Sequence, residues 1–335
     1  MILARRHFIT LLGGAAAAWP LAARAQQVGL PTPTIGWLDA IDPHSGPTEV
    51  LAGFNQGLAE QGYVVGRNVN LEFRAGPDAE RMRVLAADLV RRQVAVIVTI
   101  AGGAAAPKAA TQSIPIVFLM GADPVGQGLV TSLNRPGGNL TGVTIQSAEV
   151  AAKRLELLHE LVPKAESIAA VVLPSEGPAG SDFSRAEARG FQAAALARGV
   201  RLLLLATAAT ESGIAEAFAN AVQQRAGALL IGAERFFTTL ESQMISLANR
   251  YSLPTMFTRS NTVAAGALAS YGPDLSEVYR QLGVYTGRIL KGEKPGDLPV
   301  LQPTKFELAI NLKTAKAMGL NVSQDMLSIA DEVIE

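Results

Sequence analysis

Three acidic side chains stand just beyond short apolar runs. Asp39 follows Thr34 to Leu38, Asp123 follows Ile114 to Met120, and Glu234 follows Ala228 to Ile231. In open α/β sheets, ligands bind beyond the carboxyl ends of the strands. A carboxylate in that place can pair with a ligand ammonium. Asp123 has a second reading, as the cap of a turn closing near Gly126. Thr99, Gly102 and Gly103 lie between an apolar run and a helical stretch, where exposed backbone N–H groups can take a carboxylate and glycine permits close approach. A plain tight turn fits them as well. Ser175 and Glu176 also end a run and would face the first set across a cleft, or be solvated loop. Tyr271, Phe236 and Phe257 offer an aromatic wall for a planar ligand; Trp37, inside an apolar run, reads as core. Gln146 and Ser147 lie where the pattern passes from one half of the chain to the other, as hinge or ligand contact.

Other chemistries lack their residues. Cysteine is absent and there are three histidines, His7, His44 and His159, none clustered. No H-E-x-x-H, G-x-S-x-G or P-loop spacing occurs, so neither a zinc site nor a cofactor is expected. An enzyme built on Asp39 or Asp123 with Glu234 would need a protonated acid beside an ionised base, and nothing in the spacing demands one.

The first 25 residues stand apart. Arg5-Arg6 precedes Phe8 and an apolar run from Leu11 to Leu21, and Ala23-Arg24-Ala25 suits a signal peptidase. The paired arginines are expected to be a twin-arginine export signal. Removal of residues 1–25 takes three arginines, so 26 basic residues would face 29 acidic ones. Formal net charge before removal is zero, with no basic stripe for nucleic acid. Without cysteine, neither disulfides nor a lipid-modified cysteine anchor is possible. The expectation is a soluble, monomeric periplasmic protein.

The remaining chain is long enough for two domains of about 150 residues, and 49% of all residues are hydrophobic. Apolar runs alternate with amphipathic helical stretches. Leu51, Phe54 and Leu58 share one face after Thr48; Met82, Leu85 and Leu89 share another after the capping residue Asp78. The alternation restarts after Ile145. It predicts an α/β protein with two doubly wound parallel-sheet lobes joined by a three-crossing hinge. The expected crossings are Leu140 to Ile145, Gly266 to Tyr271 and Leu298 to Leu301. Lobe 1 would hold residues 33–144 and 272–297, and lobe 2 residues 145–271 and 298–335. A helix capped by Asp274 and running to Leu290 would cover one of the sheets.

Several segments carry a family resemblance. They include Phe54-Asn55-Gln56-Gly57-Leu58, Asp123-Pro124-Val125-Gly126 and Arg135-Pro136-Gly137-Gly138-Asn139-Leu140-Thr141-Gly142. Ser270-Tyr271-Gly272-Pro273 and Phe306-Glu307-Leu308-Ala309-Ile310-Asn311 extend it to the C-terminus. On these the chain resembles the ABC-transporter substrate-binding proteins of the tryptophan/tyrosine type, with the type I periplasmic binding fold. The resemblance implies a two-lobed protein that closes on a small solute and hands it to an inner-membrane permease. The chain departs from that pattern at Asp39-Ala40-Ile41-Asp42, Ala101-Gly102-Gly103-Ala104, Pro174-Ser175-Glu176-Gly177-Pro178 and Arg259-Ser260-Asn261. All four fall at expected cleft positions. The ligand is therefore left open between an amino acid, aromatic or otherwise, and a related carboxylate. A ligand-sensing partner of a membrane signalling protein is the alternative role.

Overall fold

A computed structural model describes residues 32–40, 48–76, 78–100, 104–174, 182–208 and 210–335. The leader, Gly102, Gly103, Ser175 and Glu176 lie outside the described residues.

The first sheet is built from β1 (Thr34–Asp39), β2 (Asn70–Ala75), β3 (Val96–Ile100), β4 (Ile116–Met120) and β5 (Leu140–Thr144), in the order β2-β1-β3-β4-β5. All its pairings are parallel. The strands β3, β4 and the edge strand β5 are buried throughout, as apolar runs between two helical layers should be. One face packs on the helix Thr48–Glu60 and on Leu275–Leu290, through Phe54, Leu58, Val278 and Leu282. The other packs on Ala79–Arg91, through Met82, Leu85 and Leu89. Asp78 caps that helix, its carboxylate accepting from the Arg81 N–H at 2.8 Å. Asp274 likewise accepts from the Ser276 and Glu277 N–H groups.

The second sheet adds β6 (Ser167–Val172), β7 (Arg201–Ala206), β8 (Ala228–Ile231), β9 (Thr255–Phe257), β10 (Ala269–Pro273), β11 (Phe306–Asn311) and β12 (Glu332–Ile334). Their order is β12-β11-β10-β9-β8-β6-β7. The predicted lobes are present, but this sheet is not wholly parallel: β10 and β11 are antiparallel. The reason is topological. β10 carries the chain out toward the first sheet and β11 brings it back through the same side, so the two must run oppositely. The sequence reading did not include β12 or the short helices Ser260–Ala264 and Gln324–Ile329.

Leu298 to Leu301 makes no strand of the second sheet. It lies along β5, where the Thr144 N–H donates to the Leu301 carbonyl at 2.9 Å and the Leu301 N–H to the Gly142 carbonyl at 2.9 Å. These bonds place Leu301 against the first sheet.

The helices Thr48–Glu60 and Leu275–Leu290 cross with their backbones in contact. A Cβ on Gly57 would collide with the Arg280 carbonyl oxygen, and one on Gly283 with that of Phe54. This close approach fixes Leu275–Leu290, which is reached only through the second sheet, onto the first. Gly→Ala inside a helix ordinarily stabilises by about 1 kcal/mol. At Gly283 the collision should reverse that sign and cost about 1–3 kcal/mol. Thermal unfolding of Gly283→Ala should thus show a melting temperature several degrees below wild type; an unchanged or higher value would refute the backbone contact.

Candidate functional site

The carboxyl ends of the two sheets face each other across a cleft. From the first sheet and its helix come Ile100, Leu119, Leu275 and Tyr279. The passage out of β5 contributes Ile145, and the helix Ser147–Leu161 contributes Ser147, Val150 and Arg154. From the second sheet come residues 231–235 after β8, 257–259 after β9 and 271–273 of β10. Phe183, Phe237, Phe257 and Tyr271 provide an aromatic wall on that side. The lining is mainly apolar, with a few charged groups, the usual make-up of a small-molecule site.

One buried ion pair shapes the second-sheet wall. Arg154 is wholly buried and its Nη1 donates to Glu187 Oε1 at 2.9 Å. Arg154 Nη2 donates to the carbonyls of Ile231 and Met256, at the ends of β8 and β9. Its guanidinium also stands over the Phe191 ring, 5.6 Å from the centroid. Glu187 Oε2 accepts from the Ala233 N–H at 2.8 Å. The pair thus pins the start of the turn that carries Glu234 and Arg235. Burial pushes the Glu187 carboxyl up to about 7, while the Arg154 guanidinium and the Ala233 N–H act downward.

Two arginines span the cleft. Arg235 Nη1 donates to Asp39 Oδ2 at 2.5 Å, joining the turn after β8 to the end of β1. Arg259 Nη1 donates to Glu49 Oε1 at 2.6 Å on the opposite lobe and also meets Glu241 of its own lobe at 3.4 Å. The first pair is almost entirely buried. The second leaves Glu49 partly in solvent, so it is worth little by itself.

The predicted site residues divide accordingly. Asp39 is buried beside the cleft and accepts from Trp37 Nε1 at 3.3 Å as well as from Arg235. Glu234 lines the cleft and accepts from the Ser184 N–H and hydroxyl at 3.0 and 2.8 Å. Phe257 and Tyr271 line it too, and Tyr271 stacks on Phe306 with centroids 5.8 Å apart. Thr99 is buried next to Ile100 without itself lining the cleft. Gln146 sits behind, in a groove with Gln302 and Phe306, and its side chain lies between Glu149 and Gln302. Trp37 is core, edge-on to Phe54 at 4.9 Å.

Two expectations change. Asp123 is exposed and away from the cleft lining; its Oδ1 accepts from the Val125 N–H at 2.9 Å, so the carboxylate caps its own turn. Phe236 gives way to Phe237. A 3-10 turn, Arg235–Leu240, precedes the helix Glu241–Arg250, and within it Phe237 is the buried aromatic. Arg154, Glu187, Arg235, Phe183 and Tyr279 were not singled out from sequence. Arg235 directly follows a singled-out strand-end residue, and that adjacency was the available signal.

The profile of the family described as ABC transporter substrate binding protein matches residues 39–334. A tyrosine-binding protein of Clostridioides difficile is 27% identical over 281 residues, covering 83% of this chain and 78% of that protein. A solved domain from Streptococcus pneumoniae in complex with L-Trp is 26% identical, with TM-score 0.76, covering 90% of this chain and all of that one. A LacI family transcriptional regulator from Bifidobacterium animalis shares the fold at 16% identity, with TM-score 0.62 over 82% of this chain and 95% of that one.

Glu187 yields a pH signature. From its ordinary value of 4.5 to about 7, the folded protein holds a proton on this carboxyl that the unfolded chain has released. Stability from this group is full below the unfolded value and is lost as pH rises through about 7. Glu187→Gln should remove that slope. The melting-temperature advantage of wild type over the variant should shrink as pH rises through this window; a constant difference would show that Glu187 does not titrate there.

Proposed function

This chain belongs to the ABC transporter substrate-binding protein family, and on that premise we propose that it is the solute-capturing component of an ABC importer. The observation that carries the reading is the interlobe cleft, apolar and aromatic in its body and crossed by arginines from one lobe to carboxylates of the other. The solute is an aromatic amino acid or a related carboxylate, in keeping with the relatives that bind tyrosine and L-Trp. Its planar body lies against Phe257 and Tyr271. Its charged end meets the polar groups around Asp39, Glu234 and Arg235, with Ser147 beside them.

Capture works by hinge closure. A solute touching both lobes binds the closed form more tightly than the open form and shifts the population by that difference alone. The closed face then docks transiently on a permease. The same reading places the protein in the periplasm as a monomer, exported through the twin-arginine signal at Arg5-Arg6 and cleaved near Ala25. Among the described residues no helix is long and apolar enough to cross a membrane.

The direct test is calorimetry of the purified mature chain against amino acids, aromatic acids and purines. A true solute present at about one hundred times its Kd should add about 2.7 kcal/mol of stability, visible as a rise of several degrees in melting temperature. Failure of every small solute to bind the folded protein would remove the reading. The export route has its own check. Replacing Arg5 and Arg6 together by lysine should leave the precursor in the cytoplasm while the native leader delivers mature protein to the periplasm; equal periplasmic yield would overturn the twin-arginine assignment.

A further inference from the structure

The polar groups of the cleft are unequally satisfied. Arg235 spends Nη1 on Asp39, and its Nε and Nη2 are buried without a partner. These two N–H groups form one edge of the planar guanidinium, the parallel fork that a carboxylate accepts with both oxygens. Ser147 Oγ is also buried without a partner and lines the same cleft. Gly121, at the end of β4, leaves the room in which this hydroxyl and the Phe183 ring sit against the opposite lobe.

Acceptors show the reverse. Among the described residues, each carboxylate at the cleft is already engaged. Glu187 is held by Arg154 and the Ala233 N–H, Glu234 by Ser184, Glu241 by Arg259, and Asp39 by Arg235 and Trp37. An α-ammonium brings three donors and needs acceptors. Here it would have to displace an arginine from Glu187, Glu241 or Asp39, leaving that guanidinium unpaired, or compete with Ser184 for Glu234. A carboxylate instead completes a guanidinium edge that is otherwise buried without acceptors. Arg154, Arg235 and Arg259 each already pair with a carboxylate, and Glu234 is held by a hydroxyl, so the preference comes from directed donors and not from the net field.

Resting on the solute-binding reading above, we propose that this cleft selects an aromatic monocarboxylate without an α-ammonium group, its carboxylate on the Nε–Nη2 edge of Arg235 and the Ser147 hydroxyl. The aromatic body lies among Phe183, Phe237, Phe257 and Tyr271. The amino acid of the same skeleton fits the apolar walls equally well and is rejected by its ammonium.

The test uses matched pairs differing in that group: 3-phenylpropionate and L-phenylalanine, 3-(4-hydroxyphenyl)propionate and L-tyrosine, indole-3-propionate and L-tryptophan. Calorimetry on the mature chain should show the acid binding at least about tenfold more tightly in any pair that binds. Arg235→Lys keeps a cation for Asp39 but loses the fork, and should weaken the acid by at least about tenfold. Its thermal unfolding, read alongside, shows that the variant is folded. Amino acids binding as tightly as their acids, or a folded Arg235→Lys with unchanged acid affinity, would overturn the proposal and leave the solute-binding reading intact. Binding of a purine alone would do the same. No binding by any solute, to protein shown folded by its melting transition, would overturn both.

Discussion

The cleft depends on a charge that never meets solvent. Arg154 is an arginine on an otherwise apolar helix face, and its removal from water is offset by Glu187 and the carbonyls of Ile231 and Met256, which receive N–H groups of both its Nη atoms. That requirement ties together β8, β9 and the helices Ser147–Leu161 and Asp182–Arg198 at one point. Either partner alone would be an uncompensated buried charge, so the ends of β8 and β9 cannot relax independently. The turn after β8 inherits this rigidity through the Ala233 N–H. Glu234 and Arg235 therefore reach the cleft from a fixed base, which a site needs if it is to discriminate by directed hydrogen bonds.

Rigidity on one side would make the proposed closure a motion of bodies. On the first lobe the glycine-mediated contact between Thr48–Glu60 and Leu275–Leu290 removes any slack between the sheet and the helix that returns to it. In the proposed closure both lobes would move as units, and the bonds that change would be those between them. The Arg235–Asp39 pair illustrates the balance. Its desolvation offsets much of its attraction, so it does not hold the lobes shut by itself. What it does is place a half-used guanidinium at the interface. In the proposed capture a bound anion would complete the set of partners that closure strips of water, and the ligand's contribution would be large in the closed state and small in the open one. That difference is what a capture protein needs.

Much of this architecture was legible in the residues. Continuous apolar runs such as Val96–Ile100 and Ile116–Met120 announce strands buried on both faces, and Asp78 and Asp274 mark helix starts by a local hydrogen bond that needs no tertiary context. Phe257, Tyr271 and Glu234 lie where strand-end reasoning puts them. The site failed to be legible where a residue had a local and a distant option. Asp123 took the local one, since an Asx turn to Val125 is available at no entropic cost of closure. The buried Phe237 lies in a 3-10 winding whose sequence is compatible with an α-helix. Arg154 and Arg235 were obscured for a different reason. A lone arginine reads as solvent-facing until its carboxylate partner is brought from far along the chain, 33 positions for Glu187 with Arg154 and 196 for Asp39 with Arg235.

The hinge shows the same dependence on distant partners. Gln146 is a non-glycine residue at φ +53, a left-handed conformation that costs about 1–2 kcal/mol. Its backbone carbonyl accepts from the Glu149 N–H, and its side chain reaches Glu149 and Gln302, so the first and third passages are joined at the residue that bears the strain. Such a conformation persists only when its surroundings over-determine it. Rotation of one lobe past the other alters the separation of these passages and with it the support for that conformation. A strained hinge residue held by both passages would then favour discrete lobe arrangements over a continuum, and the cleft would be formed or opened as a whole.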